Sequence, residues 1–224
     1  MSLIALAAGT VLMMQTAGAE IAKAEDARLA ACVEKIETNP EDAYEDGLAW
    51  TFEGNRPGAR QCTALALIAL GNYEVGADRL EALATSTDGG TMEQRALYLS
   101  QAGQAWIMAG APDLAVVSFT DALSLAPGTL DLLLDRASAN MMLEEWDTAL
   151  SDLDLALANS PGYGPAHQLR AEVHLNKKSY DAALRDVESA MEADPKNIDT
   201  LLVRGRVREA IRLEQADGAV DKIN

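Results

Sequence analysis

The chain is predicted to be an all-α solenoid of antiparallel helix hairpins, and three observations predict it. Pro127, Pro161 and Pro195 stand 34 residues apart. Small residues keep the same step: Gly103, Ala137, Ala171 and Gly205; Ala115, Ala149 and Ala183; Ala122, Ala156 and Ala190. The composition is 49% hydrophobic but only 4% aromatic, with no alternating run long enough for a strand. Small apolar residues at recurring positions suit close helix packing rather than a sheet. A helical unit of this length cannot bury its apolar face alone, so successive units must stack.

Residues 1–19 carry no charge, Leu3–Met14 is apolar, and Ala17-Gly18-Ala19 precedes Glu20. This resembles an export signal cleaved after Ala19, without the usual positive start. It implies a periplasmic or secreted protein; a buried N-terminal helix is the alternative. The run is too short for a stable membrane span. Leu29-Ala30-Ala31-Cys32 superficially resembles a lipoprotein cleavage box, but the charges of Glu25, Asp26 and Arg28 intervene.

Residues 20–56 are expected to form a degenerate cap of two helices around Asn39-Pro40. The only cysteines, Cys32 and Cys62, are expected to form a disulfide in an exported protein, pinning the N-terminal helix to the third. Two separate buried thiols are the alternative. Residues 57–95 form a degenerate repeat, with Gly71-Asn72-Tyr73 at its turn and Arg79-Leu80-Glu81-Ala82-Leu83 in its second helix. The step from Gly76 to Ala115 is 39 residues, so a longer loop is placed at Thr85–Thr91. Three regular repeats follow at 96–129, 130–163 and 164–197. An amphipathic capping helix is expected at 198–213, then a tail at 214–224.

The regular units carry Leu99, Ala102, Gly103, Trp106, Ala115, Phe119 and Pro127; then Leu133, Ala137, Ala149, Leu153 and Pro161; then His167, Ala171, Ala183, Val187 and Pro195. This pattern resembles the tetratricopeptide repeat (TPR) family, whose units read W-x2-L-G-x2-Y, then A-x3-F, then P. Arg136 and Arg170 depart from it where leucine is usual, and Asn140 and His174 where tyrosine is usual. The resemblance implies a right-handed α-solenoid, a TPR-like superhelix, whose first helices line a concave groove for partners. The bacterial cell envelope is an expectation drawn from the export-like start and the compact array.

A net charge of −17 argues against nucleic acid. From Gln61 to Leu169 there are 14 acidic and 3 basic residues, whereas Arg170 to Arg212 holds 9 basic and 8 acidic. The acidic middle serves solubility or attracts a basic partner segment. No catalytic constellation is legible. His167 and His174 lie two turns apart on one helix, about 10 Å, too far to share a metal ion. Gly89-Gly90 lacks a following phosphate-loop lysine. No cofactor or metal is expected and no enzyme is predicted, with a hydrolase or metal enzyme only a remote alternative.

The groove implied by the resemblance is traced by three rows at the repeat step. These are Ser100, Leu134, Gln168 and Leu202; Gln104, Ser138, Glu172 and Arg206; and Met108, Met142, Asn176 and Ala210. All but Ala210 are the candidate peptide-binding residues. The methionines offer adaptable apolar area to a peptide, or fill space between repeats; the spacing allows both. The rows hold no lysine, so capture of a terminal carboxylate by a lysine-asparagine cluster is not expected. Arg136, Arg170 and Arg204 make a further ladder, matched by Asp152 and Asp186, read as structural ion pairs. The function predicted is a non-enzymatic scaffold binding a protein or peptide segment. The alternative is a self-assembling factor, a homo-oligomer joining the acidic middle to the basic C-terminal helix.

Overall fold

The sequence period reappears as a period in helix boundaries. A computed structural model describes the backbone of residues 3–220 and the side chains of 20–217. Among these residues there are eleven helices and no strand. They are α1 (Leu3–Thr38), α2 (Pro40–Phe52), α3 (Pro57–Ala69), α4 (Tyr73–Thr85), α5 (Met92–Met108) and α6 (Pro112–Leu125). Then come α7 (Leu130–Met142), α8 (Trp146–Asn159), α9 (Gly164–Asn176), α10 (Tyr180–Ala193) and α11 (Ile198–Val220). From α6 to α10, equivalent helices begin and end 34 residues apart. The chain divides into two compact units, Met1–Ala105 and Trp106–Asn224.

In the first unit α1, α2 and α3 pack on one another, and α3 pairs with α4. Cys32 and Cys62 are joined by a disulfide, which ties α1 to α3. Around it Trp50 and Ala59 are buried, with Leu29 and Ile36 packed against them. Arg28 lies 4.7 Å from the centre of the Trp50 ring and pairs with Glu53, a cation resting on an aromatic face. Asn39 caps α2 by accepting from the Asp42 N–H, and Pro40 occupies the first turn, where its missing N–H costs nothing. Between α4 and α5, Thr91 and Gln94 cap α5 reciprocally, at 2.9 and 3.3 Å.

The second unit is a run of hairpins in which α6 to α11 each pack on the next, while α9 also meets α7 and α11. Phe119, Leu133, Leu153, Val187, Val203 and Val207 are buried along it. The repeated alanines at 115, 137, 149, 171 and 183 are completely covered, so close helix approach is what the small residues provide. Pro127, Pro161 and Pro195 stay exposed, each two residues beyond the end of a helix. Each hairpin turn ends its first helix with a left-handed residue: Gly110 (φ 75°), Glu144 (φ 59°) and Lys178 (φ 57°). The next N–H reaches back five residues, from Ala111 to the Trp106 carbonyl, Glu145 to Asn140 and Ser179 to His174. This satisfies carbonyls that the helix end leaves open.

Two expected boundaries differ. α1 runs unbroken across Ala19 and Glu20, so the apolar start and the cap share one helix; nothing between them breaks a helix, since Ile21-Ala22-Lys23-Ala24 are ordinary helix residues. The side chains of 1–19 lie outside the described residues. At the other end, the helix expected to stop at Leu213 continues to Val220, through Glu214-Gln215-Ala216-Asp217. No proline interrupts it. Residues 221–224 of the expected tail lie outside the described residues. Among the described residues, no helix is long and apolar enough to cross a membrane.

Candidate functional site

The first helices of the second unit, α7, α9 and α11, stand as successive neighbours and carry most of the predicted rows. Met142 and Leu202 are 53% and 60% exposed, and Met108 is 54% exposed. These apolar side chains therefore face solvent instead of filling space between repeats. Asn176 and Arg206 are exposed, while Ser138, Gln168 and Glu172 are half-buried. Leu134 differs from its row: it is buried, at 9% exposure, and offers its side chain to the core rather than to a ligand. Ser100 and Gln104, in the first unit, are half-buried and exposed respectively.

Two contacts join α11 to α9. Arg206 lies 3.6 Å from Glu172, and the Thr200 hydroxyl donates to Gln168 at 3.2 Å. Asn176 turns its amide back onto the Glu172 carbonyl, at 2.8 Å. The face is thus mixed, with apolar area at Met142 and Leu202 beside a polar strip. It suits a segment with alternating apolar and polar contacts better than a purely charged one.

The arginine ladder lies on the other side of these helices, toward their hairpin partners. Arg136 grips Asp152 through Nε at 2.9 Å and Nη2 at 2.6 Å. Arg170 grips Asp186 in the same way, at 2.9 and 2.7 Å. Both aspartates are buried. The carboxylate hydrogen bonds raise both guanidinium pKa values against the opposing effect of burial, so the arginines remain cations. Arginine thus replaces the leucine usual at this position because an aspartate on the next helix receives it.

His167 and His174 converge on the same Asp186. His167 Nδ1 lies 2.9 Å from Asp186 Oδ1, and its Nε2 lies 2.9 Å from the Pro161 carbonyl. His174 Nε2 stands 3.6 Å from Asp186 Oδ2, and its Nδ1 is buried without a hydrogen-bond partner. Burial lowers the His174 pKa, against the attraction of Asp186 and with the repulsion of Arg170. Among the described residues, no group of three or more His, Cys, Asp or Glu side chains could hold a metal ion. His167 is held by two hydrogen bonds, to Asp186 and to the Pro161 carbonyl, whereas His174 packs beside the same carboxylate without one.

Hairpins repeated at 34 residues, buried small residues at the crossings and left-handed turns decide the architecture. The fold is that of the TPR solenoids. The chain is 27% identical to the first TPR domain of Spaghetti (RPAP3), solved with the HSP90 peptide SRMEEVD; 54% of the chain covers 95% of that domain with a TM-score of 0.51. A TPR protein from Thermus thermophilus is 23% identical, with 84% of the chain covering 98% of it and a TM-score of 0.55. In sequence, 163 residues are 31% identical to a DnaJ homolog subfamily C member 7 homolog from Dictyostelium discoideum, which is 71% of this chain and 28% of that protein. The chain spans less than a third of the length of the curated relatives it matches. No protein-family profile matches it.

The hub role of Asp186 escaped the sequence reading. A signal was present: His167, Arg170 and His174 recur at three and four residues on one TPR helix face, and Asp186 lies one repeat after Asp152. Asn140, the other departure from the TPR pattern, is buried and leaves its Nδ2 without a partner.

Proposed function

We propose that the chain is a non-enzymatic scaffold whose first-helix face binds a segment of a protein partner. The observation that carries this reading is the exposure of Met108, Met142 and Leu202 at repeat positions on first helices, beside the polar strip of Gln168, Glu172 and Arg206. Flexible methionine and leucine side chains present adaptable apolar area. The RPAP3 domain, at 27% identity, is bound to the acidic peptide SRMEEVD, which supports peptide binding as the general role. The ligand chemistry is expected to differ, because the rows here offer no lysine. The formal charge of −17 favours a neutral or basic segment over an acidic one.

An envelope location in a bacterium is part of the proposal. It is supported by the uncharged start, the small-residue site before Glu20 and the Cys32–Cys62 bond, which suits an oxidising compartment. Mass analysis of the protein recovered from an envelope fraction is expected to show a mature chain beginning at Glu20. Recovery of the chain only in a reducing compartment, with residues 1–19 intact, would remove this part.

The binding reading is tested on an array of short peptides graded in charge and apolar content. Wild type is expected to select apolar-containing neutral or basic peptides. The Met108→Ser, Met142→Ser, Leu202→Ser triple variant should bind them about tenfold or more weakly. Equal binding by the two proteins would sink the reading.

A further inference from the structure

Each arginine of the ladder is seated between two second helices, until the last one. Arg136 donates to Thr120 of α6 at 3.2 Å as well as to Asp152 of α8. Arg170 donates to Asp154 of α8 at 2.7 Å as well as to Asp186 of α10. Arg204 repeats the position, with Glu188 of α10 in register with Thr120 and Asp154. No further second helix stands beside it among the described residues, because α11 runs on past Glu214, the place where Tyr180 and Trp146 begin their helices one and two repeats earlier. Arg204 has no carboxylate within ion-pair distance among the described residues; its Nη1 points at Met191 Sδ, 3.3 Å away.

The neighbouring position tells the same story. Ala137 and Ala171 are completely buried, whereas Gly205 is exposed and a Cβ built on it would meet nothing within 4 Å. Beside Arg204 opens a cavity of about 450 Å³, lined by Leu184, Val187, Glu188, Met191, Glu192 and Arg208. An arginine without its carboxylate, a small residue without its cover and an adjoining cavity occupy one face of α10 and α11.

We propose that this face is a seat for one further helix, supplied by a partner protein and bearing a carboxylate for Arg204. The chain itself shows what such a helix looks like. In α8, Ala149, Asp152, Leu153 and Ala156 face inward, and in α10, Ala183, Asp186, Val187 and Ala190 do. The occupant therefore presents small residues one turn on either side of an aspartate followed by a branched apolar residue. A second copy of this chain is disfavoured as the source, since α8 and α10 already spend their aspartates on Arg136 and Arg170. The seat is separate from the first-helix rows and stands whether or not these bind peptide.

The test uses the full chain and a lactam-constrained helical peptide with the sequence of Tyr180–Ala193, followed by fluorescence anisotropy. Saturable binding is expected, weakened about tenfold or more by Arg204→Gln in the chain or by Asp186→Asn in the peptide. Gly205→Leu, a substitution into open space that leaves the helix intact, should block the seat. Val117→Ser, at an exposed position of α6 outside both faces, should leave peptide affinity unchanged. Absence of saturable binding, or binding indifferent to both Arg204→Gln and Asp186→Asn, overturns the proposal. So does a dimer of the chain alone that Arg204→Gln disperses, which would make a second copy the occupant.

Discussion

Arg170 and Asp186 meet side-on, with Nε and Nη2 donating to the two carboxylate oxygens at 2.9 and 2.7 Å across the α9–α10 crossing. The geometry is repeated one unit earlier by Arg136 and Asp152. An apolar contact at the heart of each hairpin has thus become a paired charge. Such a pair adds little over a well-packed apolar contact, yet it is costly to break from one side.

Asp186→Ala is therefore expected to destabilise the second unit by about 3 kcal/mol, the lower end of the range for a broken buried pair, because Arg170 keeps some access to water. The double variant Arg170→Leu, Asp186→Leu should recover a large part of that loss. Urea unfolding followed by circular dichroism decides it. A single-variant loss well under 1 kcal/mol, or a double variant no better than Asp186→Ala, would contradict the account.

Burial holds the His174 pKa below its ordinary value. The unfolded chain then binds a proton at higher pH than the folded chain does, so stability falls as pH drops below about 6.5, the ordinary histidine value, toward the lowered folded one. His174→Gln should flatten the stability curve across that window. Matching slopes for variant and wild type would show that another group governs the acid side.

The Cys32–Cys62 bond closes a loop with a sequence separation of 30 residues. On the loop-entropy argument it stabilises the first unit by roughly 3–4 kcal/mol. Unfolded, unreduced protein should yield no titratable thiol, and reduction should lower the melting temperature of the first unit. Two titratable thiols, or a melting temperature indifferent to reductant, would refute this.

Glu144 and Lys178 hold the left-handed turn position that Gly110 fills at no steric cost. Glu144→Gly should raise stability by about 0.5–1 kcal/mol, the relief of left-handed strain exceeding the added freedom of the unfolded chain. Chemical denaturation of the two proteins side by side measures it, and a destabilised glycine variant would mean the strain is absent.

Much of this was legible before any coordinates. The 34-residue step alone places α6 to α10, because a repeat that must stack on its copies keeps helix length, crossing residues and turn in register. The Arg–Asp ladder and the Cys32–Cys62 pair were visible for the same kind of reason: matched residue types at spacings that only a few arrangements satisfy. The convergence of His167 and His174 on Asp186 was not, since it depends on the rotation of α9 against α10. Nor was the burial of Leu134 beside the exposure of Leu202, two leucines in one row.

Periodicity, then, was written in the chain, because covalent spacing sets which residues share a helix face and which faces recur. Exposure was settled only by the folded arrangement, because it depends on which neighbour stands against each helix. Arg204 and Gly205 show the difference most plainly. In sequence they are ordinary rungs of the repeat, and only the absence of a companion helix beside α11, among the described residues, makes them an open face.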